Sequence, residues 1–72
     1  MVMTKAPNLE LLEEYIANSG LKIGFIVKKL GITRQAFNYK RRGITPFKAA
    51  EVYVLCDLLH ITDEDREKIF LS

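Results

Sequence analysis

Five polar side chains between residues 34 and 42 have the types and the spacing that hydrogen-bonding recognition requires. Arg34, Gln35, Asn38, Tyr39 and Arg42 follow one another at intervals i, i+1, i+4, i+5 and i+8, which places them on one stripe of an α-helix. Guanidinium, amide and phenol groups suit nucleic-acid base edges and phosphates. We therefore predict that these residues form an exposed recognition stripe, although Tyr39 could equally be a half-buried surface aromatic.

The charge of the chain is concentrated around this stripe. The net charge is only +2, but residues 22–48 contain no acidic residue and eight basic ones, whereas all nine acidic residues lie outside them. A central block of one sign favours a polyanionic partner over a solvated face with a chance bias. The eight basic residues of this block are Lys22, Lys28, Lys29, Arg34, Lys40, Arg41, Arg42 and Lys48.

The sequence contains no motif for a disulfide, a metal site, catalysis or a membrane span. The single cysteine, Cys56, cannot form an internal disulfide, and with the single histidine, His60, it cannot supply a zinc site. We expect Cys56 to be core and His60 to end a helix. No catalytic triad, P-loop or dinucleotide fingerprint is present, and no apolar run approaches a signal peptide or a membrane span. We therefore expect a cytoplasmic non-enzyme without metal, cofactor or small-molecule ligand.

Residues that typically start or end helices divide the chain into five short predicted helices. These helices form one domain over residues 1–72, in which residues 1–7 are a flexible arm. Asn8, Thr33 and Thr62 are predicted N-caps, and Thr45-Pro46 predicts the start of the fourth helix. The predicted helices run from Pro7-Asn8 to Ser19-Gly20, from Lys22 to Leu30, from Thr33 to Arg42, from Thr45 to His60, and onward from Thr62. The fourth is apolar almost all round, which predicts a central, buried helix. No strand pattern is present, so the fold class is all-α.

Residues 21–43 have the pattern of two helices joined by a glycine corner. Ile26, Leu30 and Phe37 lock the pair together, and Gly31 makes the turn. This segment resembles the DNA-binding helix-turn-helix of the lambda-type Cro and repressor family. The resemblance implies a compact bundle of about five helices whose third helix enters the major groove of double-stranded DNA.

The resemblance also implies roles for individual residues. The base-reading residues would be Arg34, Gln35, Asn38 and Tyr39. The phosphate-binding residues would be Lys22, Ile23 (through its backbone), Thr33, Arg41, Arg42, Gly43 and Lys48.

Four positions, Ile23, Val27, Lys40 and Arg41, depart from the family pattern. In that pattern Gln is usual in place of Ile23, Ala in place of Val27, and an apolar residue in place of Lys40. We expect Lys40 to lay its stem on the core and lift its ammonium into solvent. Arg41 occupies a position where an acid often pairs with a helix-one arginine.

These observations predict a transcriptional regulator of phage or prophage type, most simply a repressor that occludes a promoter. We expect a weak homodimer that DNA strengthens, with Ile69, Phe70 and Leu71 forming an isologous contact near Tyr53 or Leu58. The alternative is a protein-interaction module, such as an antirepressor or antitoxin fragment, that uses the apolar surface of helix four. An RNA-binding function is less favoured, because no aromatic stacking platform is visible.

Overall fold

Five α-helices follow one another along residues 7–71, which are the residues that the computed structural model describes, and no strand occurs among them. This confirms the predicted all-α fold with five short helices. Residues 1–6 of the predicted arm lie outside the described part of the chain. The helices are α1 (Leu9–Ser19), α2 (Ile23–Leu30), α3 (Arg34–Arg41), α4 (Ala49–Leu59) and α5 (Asp63–Phe70).

The helix ends follow the local chemistry of the sequence. Asn8, Thr33 and Thr62 each accept a hydrogen bond from a backbone N–H in the first turn of the helix that follows, as predicted for N-caps. Gly20 ends α1 at a φ of 73°, where glycine carries no Cβ penalty. His60 ends α4 in the same left-handed region, at a φ of 56°.

The start of α4 differs from the prediction. The helix begins at Ala49 rather than at Thr45-Pro46, and its N-cap is Lys48. Glu51 Oε1 accepts a hydrogen bond from the Lys48 backbone N–H at 2.8 Å, which satisfies one of the donors left open at a helix start. The local signal of a threonine followed by proline is therefore overridden by a glutamate in the first turn of α4.

α4 is also less completely buried than predicted. Leu55 and Leu59 face the core, but Tyr53 is 80% exposed and the predicted core residue Cys56 is only half-buried. Burial raises the pKa of the Cys56 thiol. α4 thus supplies one wall of the core and leaves its opposite side accessible.

A single core joins all five helices. α1 packs against α3, α4 and α5, and α2 packs against α3 and α4. Each fully buried aliphatic or aromatic side chain contributes about 1.5–3 kcal/mol of hydrophobic stabilisation. The buried residues of the core are Leu12, Ile16, Ile26, Phe37, Leu55, Leu59, Ile61 and Ile69.

Polar contacts attach α5 to α1. The Asn8 backbone N–H donates to the Lys68 carbonyl at 3.0 Å, and the Tyr15 hydroxyl donates to Asp65 Oδ2. The hydrogen bond to Asp65 is the main cause of a raised pKa of Tyr15. None of the helices within residues 7–71 is long and apolar enough to cross a membrane.

Candidate nucleic-acid interface

The recognition stripe lies on the solvent side of α3. Arg34, Gln35, Asn38 and Tyr39 are all exposed, whereas Phe37 on the opposite side of the helix is completely buried. Within the stripe, Gln35 Nε2 donates to the Tyr39 hydroxyl at 3.1 Å. The predicted stripe is therefore present as a continuous polar surface, and Tyr39 belongs to it while keeping 39% of its surface accessible.

A tight corner fixes where the stripe begins. Gly31 has a φ of 72°, and its N–H donates to the Val27 carbonyl at 2.9 Å. Two residues later, Thr33 Oγ1 accepts from the Ala36 N–H at 3.0 Å and starts α3. Only residues 31–33 separate the two helices, so packing of α2 on the core determines the position of the first turn of α3.

Arg34 reaches back from α3 to the first turn of α2. Its Nη2 atom lies 3.0 Å from the place that a Cβ on Gly24 would occupy. The absence of a side chain at Gly24 thus lets the guanidinium lie against α2. This brings a predicted base-reading residue to the helix end where Lys22 and Ile23 are predicted to bind phosphate. Lys22 provides no side-chain cap for α2.

The basic block divides into an exposed and a withdrawn part. Lys40 is buried and Arg41 is half-buried, and each pairs with a glutamate of another helix. The six exposed basic residues are Lys22, Lys28, Lys29, Arg34, Arg42 and Lys48. Two of these six, Arg34 and Arg42, belong to the recognition stripe itself.

Lys40 contradicts the expectation that its ammonium reaches solvent. The residue is only 9% exposed, and Nζ lies 2.6 Å from Glu51 Oε1 and 3.4 Å from the Pro46 carbonyl oxygen. Burial acts to raise the pKa of Glu51, but hydrogen bonds from Lys40 and from the Lys48 backbone outweigh it and hold the pKa below its ordinary value. The ammonium stays inside because a carboxylate and a carbonyl replace its water.

Arg41 pairs with α1 in the opposite sense to the family pattern. Its Nε and Nη2 donate to the two carboxylate oxygens of Glu13 at 2.9 and 2.6 Å, and its guanidinium lies 5.3 Å from the ring centroid of Phe37. A third donor, Nη1, reaches Asn38 Oδ1 at 3.3 Å. The hydrogen bond to Glu13 raises the pKa of Arg41. Arg41 could contact phosphate only through guanidinium N–H groups that do not already bind Glu13 or Asn38.

Sequence reasoning missed the roles of two acidic residues. Neither Glu13 nor Glu51 was assigned a role from the sequence. Glu51 carried a signal, because it is an acid within the apolar run of α4 while a lysine stands at an apolar position of α3. Glu13 carried none, since its partner lies 28 residues away.

The segment after α3 carries three predicted phosphate-binding residues, Arg42, Gly43 and Lys48, of which both basic side chains are exposed. Gly43 has a φ of 78°, and a Cβ there would also lie 3.1 Å from Leu9 Cδ1. The left-handed backbone conformation favours glycine here, and a side chain at this position would also require Leu9 to shift slightly. Its N–H donates to the Lys40 carbonyl at 3.1 Å.

A groove of about 900 Å³ lies between α4, α5 and the segment before α4. Tyr53 stands exposed at this groove, and Phe70 packs edge-on against Phe47 with 5.5 Å between ring centroids. Ile69, which was expected at a dimer contact, is completely buried in the core. That part of the predicted contact is wrong, because the apolar side of α5 is needed to close the monomer.

No group of three His, Cys, Asp or Glu side chains in the described range 7–71 could hold a metal ion. In comparisons with known proteins, no protein-family model, no curated protein and no solved structure matches the chain.

Proposed function

We propose that this chain is a sequence-specific double-stranded DNA-binding transcriptional regulator that acts by occluding a promoter. The observation that carries the proposal is the exposed recognition stripe on α3 within a basic block that exposes six cations, two of which, Arg34 and Arg42, belong to the stripe. The opposite side of α3 is held in the core by Phe37, which fixes the direction in which the stripe faces. The resemblance of residues 21–43 to the lambda-type Cro and repressor helix-turn-helix supports the same function.

In this proposal, α3 lies in the major groove with its first turns toward the base edges. Arg34 suits guanine, whose major-groove edge carries two acceptors, while Gln35 and Asn38 offer amide groups to neighbouring bases. The exposed cations Lys22 and Lys48 lie before and after the stripe along the chain, Arg42 lies at its end, and these three bind phosphates on either side. Occupation of a promoter by this surface excludes other proteins from the same DNA.

The proposal includes a weak symmetric dimer on DNA. One domain of this size covers one half-site, and two such domains read half-sites whose centres lie about 34–36 Å apart, one helical turn of DNA. With Ile69 assigned to the core, the members of the predicted contact that stay accessible are the exposed Tyr53 and Leu71 and the half-buried Leu58 and Phe70. So small a set favours a contact that forms mainly when DNA brings two copies together.

The salt dependence of DNA binding tests the proposal. Each phosphate contact contributes about 0.9 to the slope of log affinity against log salt concentration, so six exposed cations limit the slope to about 5 per domain. Fluorescence anisotropy on a labelled duplex should show a steep slope, and Arg42→Gln should reduce it by about 1.

The matched control is Lys68→Gln, which removes a partly exposed cation of α5 that lies outside the basic block. It should leave the slope unchanged. Equal reductions by the two variants would mean that binding reflects total charge, and no binding at low salt would refute the proposal.

The groove between α4 and α5 favours a second candidate, a protein-interaction module. Tyr53 is the most exposed of the large apolar side chains that the structure leaves accessible, and it stands beside this groove. Such a module would show little salt-dependent affinity for DNA, so the same titration separates the two functions.

A further inference from the structure

The segment between α3 and α4 is bound from the inside by one buried ion pair. Lys40 Nζ donates to Glu51 Oε1 at 2.6 Å and to the Pro46 carbonyl oxygen at 3.4 Å. The same oxygen of Glu51 accepts from the Lys48 backbone N–H at 2.8 Å. The pair therefore binds the backbone of this segment at two points, one through each of its members.

The outer side of the same segment carries groups that the proposed function uses. Arg42 and Lys48 are exposed cations, and residues 43–46 between them are exposed as well. The segment lies outside regular secondary structure, because α3 ends at Arg41 and α4 begins at Ala49. Helix hydrogen bonds therefore do not fix its backbone, and contacts such as those of the buried pair have to do so.

Stability alone does not account for a buried ion pair at this place. The cost of taking two charges out of water can exceed their attraction, and apolar residues of similar volume are often as stabilising or more so. An apolar pair, however, has no atom that accepts from a backbone N–H or donates to a carbonyl. Lys40 and Glu51 do both, toward Pro46 and Lys48.

We infer that Lys40 and Glu51 are positioning residues for phosphate binding, which hold the backbone of the segment so that Lys48 meets a phosphate of DNA. The inference rests on the proposed function, in which Lys48 is one of the phosphate-binding residues. A fixed backbone at Lys48 lowers the entropy that is lost when the contact forms. Without the pair, Lys48 keeps its charge but is no longer held where the contact is made.

The test replaces the buried pair by apolar residues in Lys40→Met with Glu51→Leu, which we call the apolar-pair chain. The matched control is Lys68→Met with Glu64→Leu, which removes an exposed ion pair of α5 whose charged atoms lie 3.6 Å apart. Each chain loses one positive and one negative charge, so the net charge stays at +2. A third chain, Lys40→Met with Glu51→Gln, keeps an oxygen that accepts from the Lys48 N–H.

Each chain is titrated with a labelled duplex at several salt concentrations, with and without Lys48→Gln. In the parent, the α5 control and the third chain, Lys48→Gln should lower the slope of log affinity against log salt concentration by about 1. In the apolar-pair chain the same substitution should change the slope by less than about 0.5, because the contact is already lost. A purely structural role of the pair would not alter the effect of Lys48→Gln.

Hydrogen exchange gives a second measurement that needs no DNA. The Lys48 N–H should exchange about tenfold faster in the apolar-pair chain than in the parent, since it loses its acceptor. The Ala36 N–H, which donates to Thr33 Oγ1, should exchange at the same rate in both chains.

Three results would overturn the inference. They are the same effect of Lys48→Gln on the slope in the parent and in the apolar-pair chain, an unchanged exchange rate of the Lys48 N–H, or an apolar-pair chain that does not fold, since the pair would then hold the fold itself. A parent chain without salt-dependent affinity for DNA would refute the proposed function and the inference together. A parent whose slope is steep but does not respond to Lys48→Gln would refute the inference alone.

Discussion

Replacement of Glu51 by glutamine should strongly destabilise the fold, because it leaves the buried ammonium of Lys40 without a counter-charge. Nζ of Lys40 lies 2.6 Å from Glu51 Oε1, and both side chains are about nine-tenths buried. Removal of one partner of a buried pair costs about 3–5 kcal/mol. We expect about 3 kcal/mol for Glu51→Gln, since the new amide oxygen can still accept from Lys40 and from the Lys48 N–H.

This loss is large for so short a chain. At about 0.05–0.15 kcal/mol per residue, 72 residues give a total stability of about 4–11 kcal/mol. A loss of about 3 kcal/mol should lower the melting temperature by about 12 °C or more, measured by far-UV circular dichroism at pH 7. Lys40→Met combined with Glu51→Gln should recover most of the loss, because no buried charge remains. An unchanged melting temperature in the single variant would refute the reasoning.

The same variant has a defined pH dependence. The pKa of Glu51 is held below its ordinary value of 4.5, so its stabilising effect is fully present above pH 4.5 and is lost as the pH falls through the folded-state pKa. The difference in unfolding free energy between the parent chain and Glu51→Gln should therefore shrink below pH 4.5. A constant difference down to acid-unfolding conditions would show that ionised Glu51 is not what stabilises the parent.

Five further substitutions test the corner, the stripe and the dimer contact. Gly31→Val should lower the melting temperature by about 4 °C or more, because the φ of 72° strains a β-branched residue by about 1–2 kcal/mol. Gly31→Asn should lower the melting temperature less, and equal melting temperatures for the parent and both variants would exclude strain at this corner. Asn38→Ala should cost about 1–3 kcal/mol on a selected site and little on random duplex, and equal losses on both would exclude base reading. Tyr53→Glu should weaken cooperative binding to a two-half-site duplex without lowering the melting temperature, since Tyr53 is 80% exposed, whereas Phe70→Glu should also lower it. Unchanged cooperativity in Tyr53→Glu would remove α4 from the dimer contact.

Local chemistry in the sequence was sufficient to predict most helix ends. A cap such as Asn8 or Thr33 contacts an N–H three residues away, and a positive φ at Gly31 depends on the turn itself. These interactions are determined within a few residues, so sequence patterns contain them. The exposed face of α3 was predictable for the same reason, because helical periodicity opposes Phe37 to the polar stripe.

Interactions between distant residues were not predictable in this way. The position of Lys40 depends on Glu51, which is 11 residues away in the chain. The pairing of Arg41 depends on Glu13, whose distance of 28 residues gives no periodic signal. The side of α5 that closes the core was likewise misjudged, because the complete burial of Ile69 and the partial burial of its neighbour Phe70 depend on where α1 and α4 lie.

The most direct test of the proposed function is selection of bound duplexes from a random pool by the parent chain, with a chain that carries Arg34→Ala, Gln35→Ala and Asn38→Ala as the comparison. The parent should enrich a defined half-site, repeated as a palindrome about one helical turn apart. The triple variant should keep salt-dependent affinity for DNA but enrich no sequence, because its phosphate-binding cations are intact. Enrichment of the same sequence by both chains, or of none by the parent, would contradict the assignment of base reading to the exposed stripe of α3.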